Sequence, residues 1–134
     1  MAEKTRLLVV ANRTADSDEL FETVAQRARQ GDISVTLIVP QDSHGGLGER
    51  MTAGVARMRS AGIDAHGMLG DVDPAVAVMD VWDPARYDEV VVSTLPTDES
   101  RWVRLDLPHR IEEITHSRVT HVVAHEHRHV HAMT

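Results

Sequence analysis

Side chains suited to a small-anion site gather where apolar runs end. Asn12 and Arg13 follow Leu7 to Ala11, Val39 closes the run from Ile33, and Ser93 and Thr94 end the run from Glu89. Ser100, Arg101 and Arg104 come just after them. Arg101 and Arg104 are spaced i, i+3 near the start of a helical stretch, and two guanidiniums on one helix face can grip a carboxylate or phosphate bidentately. The plainer alternative leaves both arginines solvated or paired with Asp98, Glu99 or Asp106. Trp102, between them, serves either as core or as an anchor at an exposed edge.

Other constellations carry weaker chemistry. Ser100, Asp106 and His109 are the residue types of a hydrolytic triad, but they fall within ten residues and lack a nucleophile-elbow pattern. Asp71 and Asp73 could hold magnesium beside a phosphate, yet Asp73 before Pro74 also fits a helix cap and Asp71 a turn. His44 with Gly45 and Gly46 suits either an anion loop or an exposed connection. His125, His127, His129 and His131 share one side of an extended chain, whereas a helix would align His121, His125 and His129. Both arrangements allow a zinc, nickel or copper ligand set. A closed site also needs a preorganised supporting shell, and polar termini are usually mobile. The expectation for residues 125–134 is therefore a His-rich tail that is solvated or touches a partner, without a resident metal.

The elements that position these groups follow from periodicity and caps. Leu7 to Ala11 is a branched apolar run suited to a strand buried on both faces. Asp16 or Ser17 then caps a helix striped by Leu20, Val24, Ala25 and Ala28 and ended by Gly31. Ile33 to Val39 is a second buried strand closed by Pro40. Glu49 to Ala61 reads as a helix with Met51, Val55 and Met58 inward and Arg50, Arg57 and Arg59 mostly outward, capped at Gly62. A weaker strand, Ile63 to Leu69, leads to a short helix capped by Asp73 with Pro74 in its first turn and Val76, Val78 and Met79 as its apolar residues. Glu89 to Ser93 makes the most convincing central strand, and a helix over roughly 101–116 is interrupted near Leu107-Pro108. Val119 to Ala124 is the last strand.

Five strands alternating with four helical segments give a single doubly wound α/β domain over residues 1–124, with a five-stranded parallel sheet and helices on both faces. Periodicity leaves the order open between 3-2-1-4-5 and 2-1-3-4-5. Either order puts a ligand beyond the carboxyl ends of the strands, where the winding reverses.

Composition closes several classes. In 134 residues there is no cysteine, which excludes disulfides, thiol catalysis and cysteine metal sites. The net charge of -7 argues against a nucleic-acid surface, although protonating all nine histidines would reverse its sign. No apolar run approaches the roughly 18–20 residues of a membrane span, and the first residues do not read as a signal peptide. The expectation is a cytoplasmic protein with no membrane insertion.

Three pieces of the chain resemble the universal stress protein family: Leu7 to Asn12 as its first strand, Gly70 with Asp73-Pro74-Ala75 and Val78 as the opening of its third helix, and Glu89 to Ser93 leading into a loop and helix. The resemblance covers residues 6–124. It implies strand order 3-2-1-4-5 and a homodimer. ATP-binding members carry G-x-x-G-x(9)-G-[S/T] after the fourth strand, where glycines let backbone amides reach phosphates. That spacing falls here on Ser93, Pro96 and Asp106-Leu107, so all three glycines are absent, and Asn12 stands where Asp is usual. No cofactor is therefore expected, and ATP binding in the usual manner is doubtful.

The leading expectation is a non-catalytic, homodimeric stress-response or regulatory module that takes a small anionic ligand at the strand ends. A second reading keeps ATP or another nucleotide, with weak hydrolysis, and lets Arg101 and Arg104 replace the glycine amides. A third is a purely structural interaction domain. The apolar edge strand Val119 to Ala124 would pair across a two-fold axis in the dimer.

Overall fold

A computed structural model describes residues 4–41, 45–96 and 100–126. The strands are β1 (Thr5–Val10), β2 (Ile33–Pro40), β3 (Asp64–Gly70), β4 (Glu89–Thr94) and β5 (Arg118–Val123). The helices are α1 (Asp18–Gln30), α2 (Leu47–Ser60), α3 (Pro74–Val81), α4 (Arg101–Arg104) and α5 (Leu107–Thr115). The sheet is parallel throughout, in the order β3-β2-β1-β4-β5. The winding therefore reverses between β1 and β4, which settles the order that periodicity left open.

β1 is the central strand, flanked by β2 and β4, and Leu7 through Ala11 have no solvent exposure. Alternation sends Leu7, Val9, Val35, Leu37, Val39 and Val91 into one core layer, where Leu20 and Val24 of α1 and Val55 and Met58 of α2 meet them. Leu8, Val10, Ile38, Val90 and Val92 face the other layer, built from Ala75, Ala77 and Val78 of α3 and Leu107 and Ile111 of α5. Trp82, stacked on Tyr87 with ring centroids 6.1 Å apart, and Trp102 pack on the edge of that second layer.

The caps act as the residue types dictate. Ser17 Oγ accepts the Leu20 amide, and Asp73 accepts the Ala75 amide with Pro74 in the first turn. Gly62, at φ 84°, closes α2 through bonds from Gly62 N to Arg59 O and from Ile63 N to Met58 O, a Schellman arrangement. Gly54 lies where α2 crosses the loop after β1. A side-chain carbon there would run into the Ala15 carbonyl oxygen, so the crossing requires glycine.

Two expectations are corrected. Met79 turns outward at 51% exposure, and Ala77 takes the buried place on α3. The interrupted helix breaks at Asp106, in a left-handed conformation at φ 54°, and Pro108 falls in the first turn of α5, where its missing N–H costs nothing. No helix among the described residues is long and apolar enough to cross a membrane.

Candidate functional site

A cavity of about 500 Å³ opens at the carboxyl ends of the strands, beside the crevice between β1 and β4. Asn12 and Arg13 come from the end of β1, Thr94 and Leu95 from the end of β4, and Asp71 to Pro74 from the turn into α3. Ser100, Arg101, Trp102 and Leu105 of the α4 region and Leu107 and Arg110 of α5 complete it. A volume of this size matches ordinary small-molecule sites, which run about 300–1,000 Å³.

The left-handed Asp106 determines which basic groups reach the cavity. It separates the single turn of α4 from α5, and Arg110 on α5 lines the cavity together with Arg101. Among the described residues, neither the Arg101 nor the Arg110 side chain makes an ion pair or hydrogen bond. Ser100 fixes the start of α4: its Oγ accepts the Val103 amide at 3.1 Å, and the residue itself is 5% exposed. The carboxylates of the lining are committed to the backbone. Asp71 accepts the Asp73 amide and Asp73 the Ala75 amide, each at 2.9 Å. They hold the turn that forms the far wall.

Thr94 joins the cavity to the edge strand. Its hydroxyl donates to the Leu95 carbonyl at 2.9 Å, so it accepts from His121 Nε2 at 2.8 Å. Partial burial of the His121 ring lowers its pKa below the ordinary 6.5, favouring the neutral imidazole. The wall therefore combines two open guanidiniums, a positioned hydroxyl and the indole of Trp102.

Of the residues anticipated from sequence, Asn12, Arg13, Thr94, Ser100 and Arg101 are brought together here. Three are placed elsewhere. Val39 is fully buried in the α1 and α2 layer because its strand position faces that side. Ser93 faces the same way and shares a buried 2.7 Å hydrogen bond with Thr14 Oγ1, which ties the loop after β1 to the end of β4. Arg104 is exposed and outside the lining, since α4 turns the arc of Arg101, Trp102 and Leu105 to the cavity and Arg104 falls beyond its edge. Asp106 is likewise exposed and outside the lining, so its carboxylate does not oppose an anion from the wall. Among the described residues no hydrogen bond links Ser100, Asp106 and His109, and His109 sits 3.7 Å from Glu113 on the exposed face of α5.

Arg13 and Arg50 carry a second cluster that sequence reasoning missed. The Arg13 guanidinium forks onto Glu126, Nη2 to Oε1 at 3.0 Å and Nε to Oε2 at 3.4 Å. Arg50 of α2 donates to Glu126 Oε2 at 2.8 Å, to Asp16 Oδ1 at 3.2 Å and to the Arg13 carbonyl at 3.4 Å. Next to Glu126, His125 Nδ1 lies 2.7 Å from Glu19 Oε2. Burial tends to raise the Glu19 carboxyl, but the His125 hydrogen bond, the backbone amides of Glu19 and His125, and the His125 charge hold it below its ordinary value. His125 thus meets a carboxylate at the start of α1. Among the described residues no group of three His, Cys, Asp or Glu is placed to hold a metal. His127, His129, His131, the His44 loop position, Asp98 and Glu99 lie outside the described residues.

No family model and no curated protein matches the sequence. Solved structures do. A universal stress protein in complex with cAMP superposes with a TM-score of 0.65 at 16% identity, covering 92% of this chain and all of that one. A universal stress protein from Archaeoglobus fulgidus in complex with dAMP gives 0.61 at 15% identity, covering 91% and 99%. A universal stress protein family protein from Arabidopsis thaliana with AMP bound gives 0.58 at 13% identity, covering 90% and 92%.

Proposed function

The fold is that of the universal stress proteins, and we propose that the chain also works as one: a non-catalytic, homodimeric, cytoplasmic regulatory domain that binds a small phosphate-bearing ligand of adenine nucleotide size. The observation that carries this reading is that Arg101 and Arg110, unpaired among the described residues, both line a cavity beside the strand-order reversal. Arginines without acidic partners around a concavity favour an anion, because a guanidinium offers several N–H donors in a plane that suits phosphate oxygens. They supply the donors that glycine amides supply in the family's ATP-binding segment. Trp102 offers an aromatic face and Thr94 a hydroxyl, as a base and a sugar would use. The similar folds solved with cAMP, dAMP and AMP support a nucleotide over other small anions.

Calorimetric titration of tag-free protein with AMP, cAMP and ATP tests the reading. Saturable binding that weakens about tenfold in Arg101→Ala, with the fold intact by circular dichroism, is the expected result. A folded protein indifferent to all three, or binding unchanged in Arg101→Ala, would overturn it. Native mass spectrometry of the same sample reads the dimer.

A further inference from the structure

Arg13 belongs to both clusters, since it lines the cavity and its guanidinium is held by Glu126 from the segment after β5. Among the described residues Glu126 is the only carboxylate that Arg13 meets, whereas Arg50 has Asp16 as well. Losing Glu126 would leave Arg50 anchored and Arg13 open. The Arg13 pair is also the more accessible one: each side chain is 34% exposed, whereas Asp16 under Arg50 is 4% exposed. Exposed pairs are weak and exchange readily with a competing anion. A carboxylate forked onto one guanidinium and touching a second also imitates the geometry a phosphate monoester adopts between two arginines.

We infer that Glu126 is a built-in competitor for the ligand's phosphate, occupying Arg13 in the empty protein and yielding it when a phosphomonoester enters the cavity. The inference rests on the cavity being a phosphate-ligand site, as proposed above. Because Glu126 and the ligand draw on the same guanidinium, each weakens the other by the same factor. Occupancy of the cavity is then transmitted to the segment that follows the edge strand, where Ala124 N still bonds Thr94 O but Glu126 keeps Arg50 and loses the fork onto Arg13.

The test is AMP affinity, followed by Trp102 fluorescence or calorimetry, in the intact chain and in Glu126→Gln, Arg13→Ala, the double variant and Arg101→Ala. Glu126→Gln should tighten AMP binding by about fivefold or more, the scale of ordinary coupling between sites, and the gain should vanish when Arg13 is already alanine. An unchanged affinity in Glu126→Gln, with Arg101→Ala still weakening AMP, overturns the competitor while leaving the cavity as the site. A gain that persists in the Arg13→Ala background also overturns it, since removal of a negative charge alone then accounts for the effect. No AMP binding in any form, or no loss in Arg101→Ala, removes the cavity reading and this inference together.

Discussion

Arg6 and Arg27 at one end of the sheet and Arg101 and Arg110 at the other have opposite surroundings. At the amino ends of the strands, Arg27 of α1 forks onto Glu89 of β4 at 2.9 and 2.7 Å, and Arg6 of β1 forks onto Asp88. At the carboxyl ends, Arg101 and Arg110 face a cavity with no acidic partner among the described residues. The same side chain thus clamps elements together where a carboxylate meets it, as Arg13 and Arg50 also do at the carboxyl end, and stays available where none does. Nearby acid decides which, and the sequence position of an arginine does not reveal it.

Breaking the amino end should produce the largest change in stability and none in binding. Arg27→Ala leaves Glu89 part-buried without its fork, and unfolding free energy should fall by about 2 kcal/mol, less than for a fully buried pair because Arg27 is 25% exposed. AMP affinity should stay as in the parent. Denaturant titration beside calorimetry checks both, and a binding defect would show that the two ends are not independent.

Breaking the carboxyl end should do the reverse. Arg101→Ala should cost about tenfold in AMP affinity, near 1.4 kcal/mol, the scale of a lost charge-assisted hydrogen bond. Its Tm should remain that of the parent, because an exposed side chain with no partner among the described residues contributes little to stability. Ser100→Ala is a finer probe of the same end. Loss of the cap should cost about 1 kcal/mol of stability and, by loosening the single turn that presents Arg101, weaken AMP about threefold.

Acid separates the ends further. The Arg27 hydrogen bond outweighs burial and holds the Glu89 carboxyl below its ordinary 4.5, so its contribution is complete above that value and lost as pH falls through the lowered folded pKa. A Tm series should therefore drop below about pH 4.5, less steeply in Arg27→Ala. The smallest effect comes from His121. With its folded pKa below 6.5, the unfolded chain takes up its proton first, so stability declines as pH falls below 6.5 toward the folded value. His121→Asn should remove that shallow step, and an unaltered slope would assign it to another histidine.

Much of the fold was legible because local signals agreed. Ser17, Asp73-Pro74 and Gly62 mark helix ends through caps that act within a few residues, and the branched runs of β1, β2 and β4 read as doubly buried strands. Strand order was not legible from pattern, since both orders bury the same residues. The site divided along the same line. Strand-end residues such as Asn12, Arg13 and Thr94 were found because topology alone puts them beside the crevice. Val39 and Ser93 share that position, but the period of two turned them to the opposite layer. Arg110 was missed because its place depends on the break between α4 and α5 at Asp106, and aspartate in a left-handed conformation leaves no distinctive sequence mark. Arg50 and Glu126 were missed because their meeting spans 76 positions of chain.

Gly54 stands one helical turn after Arg50 on α2, and it is where that helix rests against the Ala15 carbonyl with no side chain between. The missing methyl sets how close α2 lies to the loop, and with it the reach of Arg50 to Asp16 and Glu126. An uncharged position with no ligand in view thereby sets the spacing of a charge cluster. Sequence drift at residue 54 would push α2 off the Ala15 carbonyl, and the shift would be felt as altered electrostatics in the Arg50 cluster as well as in packing.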